Sequence, residues 1–319
     1  MNKRIGIYYE HRISRNDGFP LYASNLLADK EKYPTLDAVH LIPDGNYDKY
    51  RNMDMNMVID WGADAMQSAC PYEIQYPTDA PMIWYASDTH LGREYRFEEA
   101  LKAEYVFFAQ KPAVPDYLEW RKGKEHKNKH VSWLPHGVEP RAYPDKPVAP
   151  KKYDVCFVGH LVSHERIDFL DPIFKEFPNF WFGQRLSRYV LEQGMADDCG
   201  DIYRKSKIVL NPPTRNDIAM RTFEATATGS FLLQGRCPGL ENIYTDKVHM
   251  VMYDTVEEAI ELIKYYLEHD EEREKIALAG KLRTLETQTY EQRVNEMLVT
   301  AGVLPKEYAP PPFTLLGVK

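Results

Sequence analysis

The stretch from Arg215 to Gly235, RNDIAMRTFEATATGSFLLQG, decides the fold, and it follows an apolar run, KIVLN, that ends at Asn211. That run is short and β-prone, the middle of the stretch has a helical composition, and Gly229 permits a sharp exit into the apolar segment SFLLQG. The pattern predicts a strand, a loop, a helix that carries Glu224, and a second strand. In open α/β sheets ligands bind where strands end and helices begin, so backbone amides at this loop can hold a diphosphate.

The same alternation extends in both directions from this stretch. Before it, the segments DVCFVGH and WFGQ predict further strands, the first of which ends at Gly159. After it, apolar residues recur at helical spacing from Val256, and the segment DEEREKIALAGKLRTLE predicts a second helix, with an interruption at Gly280 left open. The second half of the chain is therefore an α/β unit with closing helices.

The first half repeats the pattern, because several apolar runs end in Gly or Asp. These runs are DAVHLIPDG, MNMVIDWG and PMIWYASD, and two further apolar runs are IGIYY and EYVFFAQ. Strands that alternate with helices favour a parallel sheet with helices on its faces. The segment WLPHGVEPRAYPDKPVAPKK is rich in proline and has no clear period, so it predicts an interdomain connection with a boundary near Pro150. We predict domains over 1–150 and 151–303, and an extended tail over 304–319 whose proline triplet excludes helix and leaves a strap or disorder open.

The composition excludes several classes of protein. Lys and Arg total 40 against 48 Asp and Glu, which disfavours nucleic acid as a partner. The run RKGKEHKNKH over 121–130 is the one strongly basic cluster, and we interpret it as a solvated loop at a helix end. The four cysteines are widely spaced, which predicts reduced, buried thiols. No apolar stretch approaches about 20 residues, so we expect a cytoplasmic protein without a membrane span.

Several motifs in order resemble the CgeB-type family, which is spore-coat glycosyltransferase-like. They are FVGH, the stretch from LNPP to RTFEATATG, and the closing segment from VMYDTVEEAI to NEML, with looser matches at WYASDTHLG, VFFAQK and WLPHGVEP. The resemblance implies a glycosyltransferase of GT-B architecture, in which two Rossmann-like domains with parallel sheets face each other across a cleft. It also implies a nucleotide-sugar donor, with a UDP-sugar expected, bound by the second domain, and no prosthetic group.

Members of the wider retaining GT-B group carry two glutamates eight positions apart. Glu224 matches the second of these, but the first position holds Asn216, with Asp217 beside it. We expect Glu224 to accept hydrogen bonds from the donor ribose, since a carboxylate accepts two such bonds well; the alternative is that it lies on a solvated helix face. Asn216 and Asp217 are candidates for the sugar hydroxyls. Retention of configuration is the outcome that the resemblance favours.

The diphosphate of such a donor needs positive charge, and five arginines lie near the predicted strand ends: Arg166, Arg185, Arg188, Arg215 and Arg221. We favour Arg221, three positions before Glu224, and Arg166, just after the FVGH segment, and keep Arg215 as a donor-binding candidate. Gly159 lets a phosphate or sugar approach the backbone. His160 stands where related transferases often have arginine.

The acceptor side is expected in the first domain. Asp88 and His90 follow an apolar strand and are candidates to orient the sugar or to take a proton from the acceptor; the alternative is that Asp88 caps the next helix and His90 packs against it. Asp17 and, more weakly, His11 lie in the loop after the first strand. Two metal ligands, Asp88 and His90, are too few to predict a metal site. His136 is expected to have a structural role in the hinge.

The residues leave four functions open. The first is transfer of a hexose from a nucleoside diphosphate donor to a hydroxyl of an unknown acceptor, and it is the one that we favour. The second is a non-catalytic structural module, which would explain the missing first glutamate. The third is a sugar-nucleotide epimerase, which needs no acceptor, and the fourth is a transferase that acts on modified DNA bases. An inverting reaction requires a base near the acceptor, for which Asp88, His90 or Asp17 would serve.

Overall fold

The structure is a computed structural model, and it describes residues 2–8, 23, 25–41, 52–60, 80–90, 92–146, 150–159, 164–183, 195–212 and 217–315. It forms two compact units. The first unit comprises Met1–His136 and Tyr290–Pro310, and the second comprises Gly137–Thr289 and Pro311–Lys319.

Strands and helices alternate along most of the described chain. The strands are β1 (Lys3–Tyr8), β2 (Leu36–Leu41), β3 (Met55–Asp60), β4 (Met82–Ala86), β5 (Tyr105–Phe108), β6 (His130–Trp133), β7 (Tyr153–Val158), β8 (Phe180–Gly183), β9 (Ser206–Asn211), β10 (Leu232–Gly235) and β11 (Val251–Tyr253). The helices are α1 (Arg93–Leu101), α2 (Ala113–Trp120), α3 (His164–Glu176), α4 (Met195–Lys205), α5 (Met220–Ala227), α6 (Leu240–Ile243), α7 (Val256–Glu268), α8 (Asp270–Thr287) and α9 (Tyr290–Thr300).

Each unit is built on one parallel sheet. The sheet of the first unit has six strands in the order β2-β1-β3-β4-β5-β6, and the sheet of the second has five in the order β11-β10-β9-β7-β8. All strand pairs between the named strands run parallel, as Val155 beside Ile208 and Leu233 beside Val251 illustrate. Central strands of this kind are buried on both faces, which explains why β3 and β4 are buried at every position. The prediction of two α/β units with parallel sheets is confirmed.

The division between the units falls at His136, earlier than the boundary that we predict near Pro150. The residues that follow His136 make their contacts within the second unit. The backbone N–H of Val138 donates to the carbonyl of Gln288, and Arg204 Nη2 donates to the carbonyl of Pro144. Proline content marks this segment as irregular, but its hydrogen bonds assign it to the second unit.

The helix α9 belongs to the first unit, although it lies within the predicted second domain. Arg293 is buried and its Nε donates to the carbonyl of Pro135, 2.9 Å away. Tyr33 is also buried, and its hydroxyl donates to Oδ1 of Asn295, 2.8 Å away. Periodicity predicts the helix but gives no information on which core it packs against.

The end of the described chain is held by specific contacts. In the first unit the ring of Tyr308 stacks on that of Tyr33, with 5.7 Å between centroids. In the second unit the carbonyl of Phe313 accepts hydrogen bonds from Arg283 Nη2 and Gln288 Nε2. Between the end of α9 and residue 315, the chain has no regular structure apart from a short 3₁₀ turn, Lys306–Tyr308.

Gly280, where the sequence leaves an interruption open, does not interrupt the helix, because α8 continues through it from Asp270 to Thr287. Gly280 instead allows a close approach: a Cβ at this position would lie 2.2 Å from the carbonyl oxygen of His249. Among the described residues, Cys156, Cys199 and Cys237 are buried free thiols, as predicted. No helix in the described part of the chain is both long and apolar enough to cross a membrane.

Candidate functional site

The candidate site in the second unit lies where the direction of strand addition reverses. The chain passes from β7 to β8 on one side and then to β9 on the other, so β7 and β9 flank the switch point of this sheet. Gly159 directly follows β7, and Asn211 ends β9. Ligands of open α/β sheets bind outside the carboxyl ends of the strands at such a point.

Two arginines meet at the ring of Phe157, which is fully buried near the end of β7. The Cζ atom of Arg221 lies 4.5 Å from the ring centroid, and that of Arg166 lies 5.5 Å from it. Arg221 belongs to the first turn of α5 and Arg166 to the first turn of α3. The structure therefore brings together the two arginines that the sequence analysis favours, with an aromatic ring beneath the guanidinium groups.

The proximity of the two guanidinium groups is unfavourable in the absence of an anion. Burial, reinforced by the charge of Arg221, lowers the pKa of Arg166 to about 10. Arg166 therefore stays charged at neutral pH. Among the residues that the structure describes, Arg221 forms no ion pair with a carboxylate. An anion placed against both groups would relieve the repulsion between them.

Gly159 is required by the position of Arg221. A Cβ atom at residue 159 would lie 2.1 Å from Arg221 Nη2 and 3.0 Å from the ring of Phe157. The sequence analysis expects a phosphate or sugar to approach the backbone at Gly159. In the structure, the guanidinium group of Arg221 occupies the space beside this glycine. The glycine thus keeps Arg221 close to the backbone at the switch point.

The helix α5 also carries Glu224, and the helix and strands predicted around it are confirmed. Glu224 has 7% of its surface exposed, and every residue from Thr222 to Ala227 is buried. The alternative that Glu224 lies on a solvated helix face is therefore wrong. The contact of Glu224 with the donor ribose stays a prediction.

Asp217 lies just before α5 and is partly buried. Burial raises the pKa of the Cys237 thiol to about 12, and the negative charge of Asp217 contributes to the shift. Asp217 is thus near the residues that follow β10, on the same edge of the sheet as Arg221. Its proposed contact with sugar hydroxyls stays a prediction.

In the first unit, Asp88 and His90 follow β4, as the sequence predicts. Asp88 has a left-handed backbone, with φ of 48°, and His90 is exposed. The residue that caps α1 is Gly92, and among the described residues the cap has no side-chain hydrogen bond. The alternative that Asp88 caps the helix is therefore wrong.

The loop that carries Asp88 is anchored on both sides. The backbone N–H and the hydroxyl of Ser87 both donate to the carbonyl of Asp60. The backbone N–H and the hydroxyl of Thr89 both donate to Oε1 of Gln110. Since Asp60 ends β3, this loop is fixed to the carboxyl edge of the first sheet, where a ligand would bind.

His136 lies close to this loop, although the sequence analysis treats it as a hinge residue. It is buried, and burial lowers its pKa to about 4, an effect that the charge of Asp88 opposes. Its Nδ1 is 3.4 Å from the hydroxyl of Tyr85. His136 is therefore neutral at physiological pH, as a structural histidine in the core would be.

Four predicted site residues lie outside the described residues: Asp17, His160, Arg215 and Asn216. The same holds for His11, Arg185 and Arg188. The structure adds two residues that the sequence analysis does not select, Phe157 and Asn211, since Asn211 Oδ1 accepts a hydrogen bond from Arg221 Nη1. The sequence feature that could have identified Asn211 is a polar residue at the end of an apolar strand, as in KIVLN.

The fold is similar to that of several solved structures. The Anabaena protein Alr3699/HepE, solved with UDP and glucose, covers 95% of this chain and 100% of its own at a TM-score of 0.64 and 12% identity. Sucrose-phosphate synthase from Thermosynechococcus elongatus covers 94% of this chain and 98% of its own, with a TM-score of 0.57 and 9% identity. A Listeria monocytogenes protein, assigned provisionally as a UDP-N-acetylglucosamine 2-epimerase, covers 98% and 100% at a TM-score of 0.53 and 13% identity. The chain has the GT-B architecture, as predicted.

Part of the sequence matches a family model. Residues 166–299, which are less than half of the chain, match the family model described as glycosyl transferase-like. No curated protein matches the chain. The matched region begins at Arg166 and contains both Arg221 and Glu224.

Proposed function

We propose that this chain transfers a sugar from a nucleoside diphosphate sugar to a hydroxyl group of an acceptor. The observation that carries the proposal is the pair of guanidinium groups, Arg166 and Arg221, gathered over Phe157 at the switch point of the second sheet. The match of residues 166–299 to the glycosyl transferase-like family supports it. A diphosphate carries negative charge on several oxygens, and such a cluster is suited to bind it.

The reaction breaks the bond between the anomeric carbon and the diphosphate oxygen and forms a bond to the acceptor oxygen, which loses its proton. Negative charge grows on the departing diphosphate as the sugar acquires oxocarbenium character. Arg166 and Arg221 would stabilise that charge more strongly in the transition state than in the bound donor, which is the requirement for catalysis. Glu224 would accept hydrogen bonds from the donor ribose.

The finer assignments belong to the same proposal. A UDP-sugar is the proposed donor, and the Anabaena neighbour was solved with UDP and glucose. We propose retention of configuration, in which the departing diphosphate oxygen takes the acceptor proton and no protein base is required; under inversion Asp88, His90 or Asp17 would take the proton. We propose that the donor site is completed by His160, Arg215, Asn216 and Asp217. We also propose that the chain belongs to the CgeB-type family. The acceptor is not assigned.

Calorimetric titration of the purified chain with UDP, GDP, dTDP and CDP tests the donor site. We expect one nucleotide to bind, and Arg221→Met to weaken it about 10- to 100-fold, the loss of a charge-assisted hydrogen bond being about 1.5–3 kcal/mol. Arg204→Met is the matched control. Arg204 lies at the end of α4, just before the start of β9, and so at the edge of the sheet opposite to Arg221. It should change the affinity less than twofold. Absence of binding by all four nucleotides would overturn the proposal and favour the structural module.

Product analysis separates transfer from epimerisation. The chain is incubated with the matching nucleotide sugar, without and with candidate hydroxyl acceptors, and the sugars are resolved by NMR. A transferase releases the nucleoside diphosphate and extends an acceptor. Conversion of the donor into a second nucleotide sugar without any acceptor would instead identify an epimerase, an activity that has been assigned provisionally to the Listeria neighbour.

A further inference from the structure

A buried polar cluster lies directly behind Arg221, and the proposed mechanism does not use it. It consists of Asn211 at the end of β9, Thr222 in α5 and Gln234 in β10, and none of the three has any exposed surface. Asn211 and Gln234 are neighbours in the register of the parallel strands. Buried amides and hydroxyls are costly unless their hydrogen bonds are satisfied, so this cluster requires an explanation.

The hydrogen bonds of the cluster have a defined direction. Gln234 Nε2 donates to the carbonyl of Gly235 at 2.9 Å, and a carbonyl can only accept. Gln234 Oε1 therefore faces the other way, where it accepts from Asn211 Nδ2 at 2.6 Å and from the hydroxyl of Thr222 at 2.9 Å. Asn211 Nδ2 also contacts Thr222 Oγ1 at 3.2 Å. The orientation of Gln234 thus determines the orientation of Asn211.

The chain of hydrogen bonds ends at the guanidinium group. With its nitrogen committed to Gln234 and Thr222, Asn211 presents Oδ1 to Arg221 Nη1, which donates to it. A guanidinium group can only donate, so the two ends of the chain, one acceptor and one donor, fix the direction of every bond between them. A reversed Asn211 would present an NH₂ group to Arg221 and repel it.

The cluster is also electrically neutral. An aspartate at position 211 would hold Arg221 as firmly, but its charge would cancel the positive charge that a diphosphate requires. An amide oxygen positions the guanidinium group and leaves its charge available. Phe157 also positions the guanidinium group without cancelling its charge, because an aromatic ring attracts a cation but has no net charge.

We infer that Asn211, Thr222 and Gln234 are positioning residues that hold the Arg221 guanidinium group for the donor diphosphate through a neutral, directed chain of hydrogen bonds. The inference rests on the proposed function and deepens it. Thr222 and Gln234 act through Arg221 and do not contact the donor themselves.

The test compares Thr222→Val with Thr222→Ser in titrations with the nucleotide that binds the wild type. Valine has the shape of threonine without the hydroxyl group, whereas serine keeps it. We expect Thr222→Val to weaken nucleotide binding about tenfold and Thr222→Ser to stay within twofold of the wild type. Thr284→Val is the stability control. The Thr284 hydroxyl is also fully buried and bonds to Thr226 at 2.7 Å, but its described bonds do not include Arg221. It should lower the unfolding temperature without changing the affinity.

A double-mutant cycle tests whether the cluster acts through Arg221. In the wild type, Gln234→Met should weaken nucleotide binding about tenfold, since Asn211 is then free to reverse. In the Arg221→Met background the same substitution should have no further effect. An equal effect in both backgrounds, or a Thr222→Val variant that binds as the wild type does, would overturn the inference. If Arg221→Met alone weakens binding, the proposed donor site stands even then; if the wild type binds no nucleotide, the proposed function itself fails.

Discussion

The buried ion pair between Asp60 and Arg96 provides the sharpest test of how the first unit is held together. Arg96 Nε lies 2.7 Å from Asp60 Oδ2, and Arg96 Nη2 donates to Oδ1 at 3.2 Å. The side chains are 2% and 1% exposed. Replacement of Asp60 by Asn removes the negative charge, keeps the shape, and leaves a positive charge in the core. Removal of one partner of a buried pair costs about 3–5 kcal/mol.

For a unit of this length the loss corresponds to a decrease of about 6–20 °C in the unfolding temperature, at about 2–4 °C per kcal/mol. Urea unfolding followed by tryptophan fluorescence measures the loss of free energy of unfolding, because Trp84 is fully buried in β4, next to the strand that carries Asp60.

Asp116→Asn is the matched control. Asp116 pairs with Arg93 at 3.4 Å, and Arg93 belongs to the same helix as Arg96, but the side chains of this pair are 55% and 54% exposed. Its loss should cost less than about 1 kcal/mol. The reasoning is refuted if Asp60→Asn destabilises the unit no more than Asp116→Asn does.

Three further outcomes follow from the described geometry. Gly159→Ala should displace Arg221 and weaken nucleotide binding about tenfold, as titration would show, because the added Cβ would lie 2.1 Å from Nη2. Gly280→Ala should destabilise the second unit by about 1–3 kcal/mol in urea unfolding, because its Cβ would meet the carbonyl of His249 at 2.2 Å. Burial lowers the pKa of His136 to about 4, so the unfolded state binds more protons as the pH falls below about 6.5. The free energy of unfolding should therefore fall by about 2 kcal/mol between pH 6.5 and pH 5, and His136→Gln should remove this part of the pH dependence.

Each of these outcomes has its own control. The Gly159→Ala variant should unfold at nearly the wild-type temperature, because the atom that it meets is the end of a flexible side chain. The Gly280→Ala variant should keep its nucleotide affinity. A pH slope that survives in His136→Gln would mean that another group produces it.

The elements that determine the fold were predictable because their signal is local. The run KIVLN, the helix around Glu224 and the segment SFLLQG form consecutive elements, and composition and spacing suffice to identify them. The segment after His136 was not predictable in the same way. It has no period, so only its hydrogen bonds to residues such as Gln288 and Arg204 assign it to the second unit.

The candidate site was predictable to a similar extent. Arg166, Arg221 and Gly159 follow from the rule that ligands bind at the carboxyl ends of strands. Asn211 and Gln234 do not, because their partnership depends on β9 and β10 being neighbours in register, and strand order is a property of the whole sheet. A polar residue in a buried strand signals that a partner exists, but the sequence does not identify the partner.

The close approach at residue 159 links two positions that are 62 residues apart in the chain. The Cβ of any residue other than glycine would take the volume that the guanidinium group of Arg221 occupies. The two positions therefore cannot evolve independently: a lineage that acquires a side chain at 159 must shorten or redirect the residue at 221. In an alignment of related chains, glycine and arginine at these positions should be kept together or lost together.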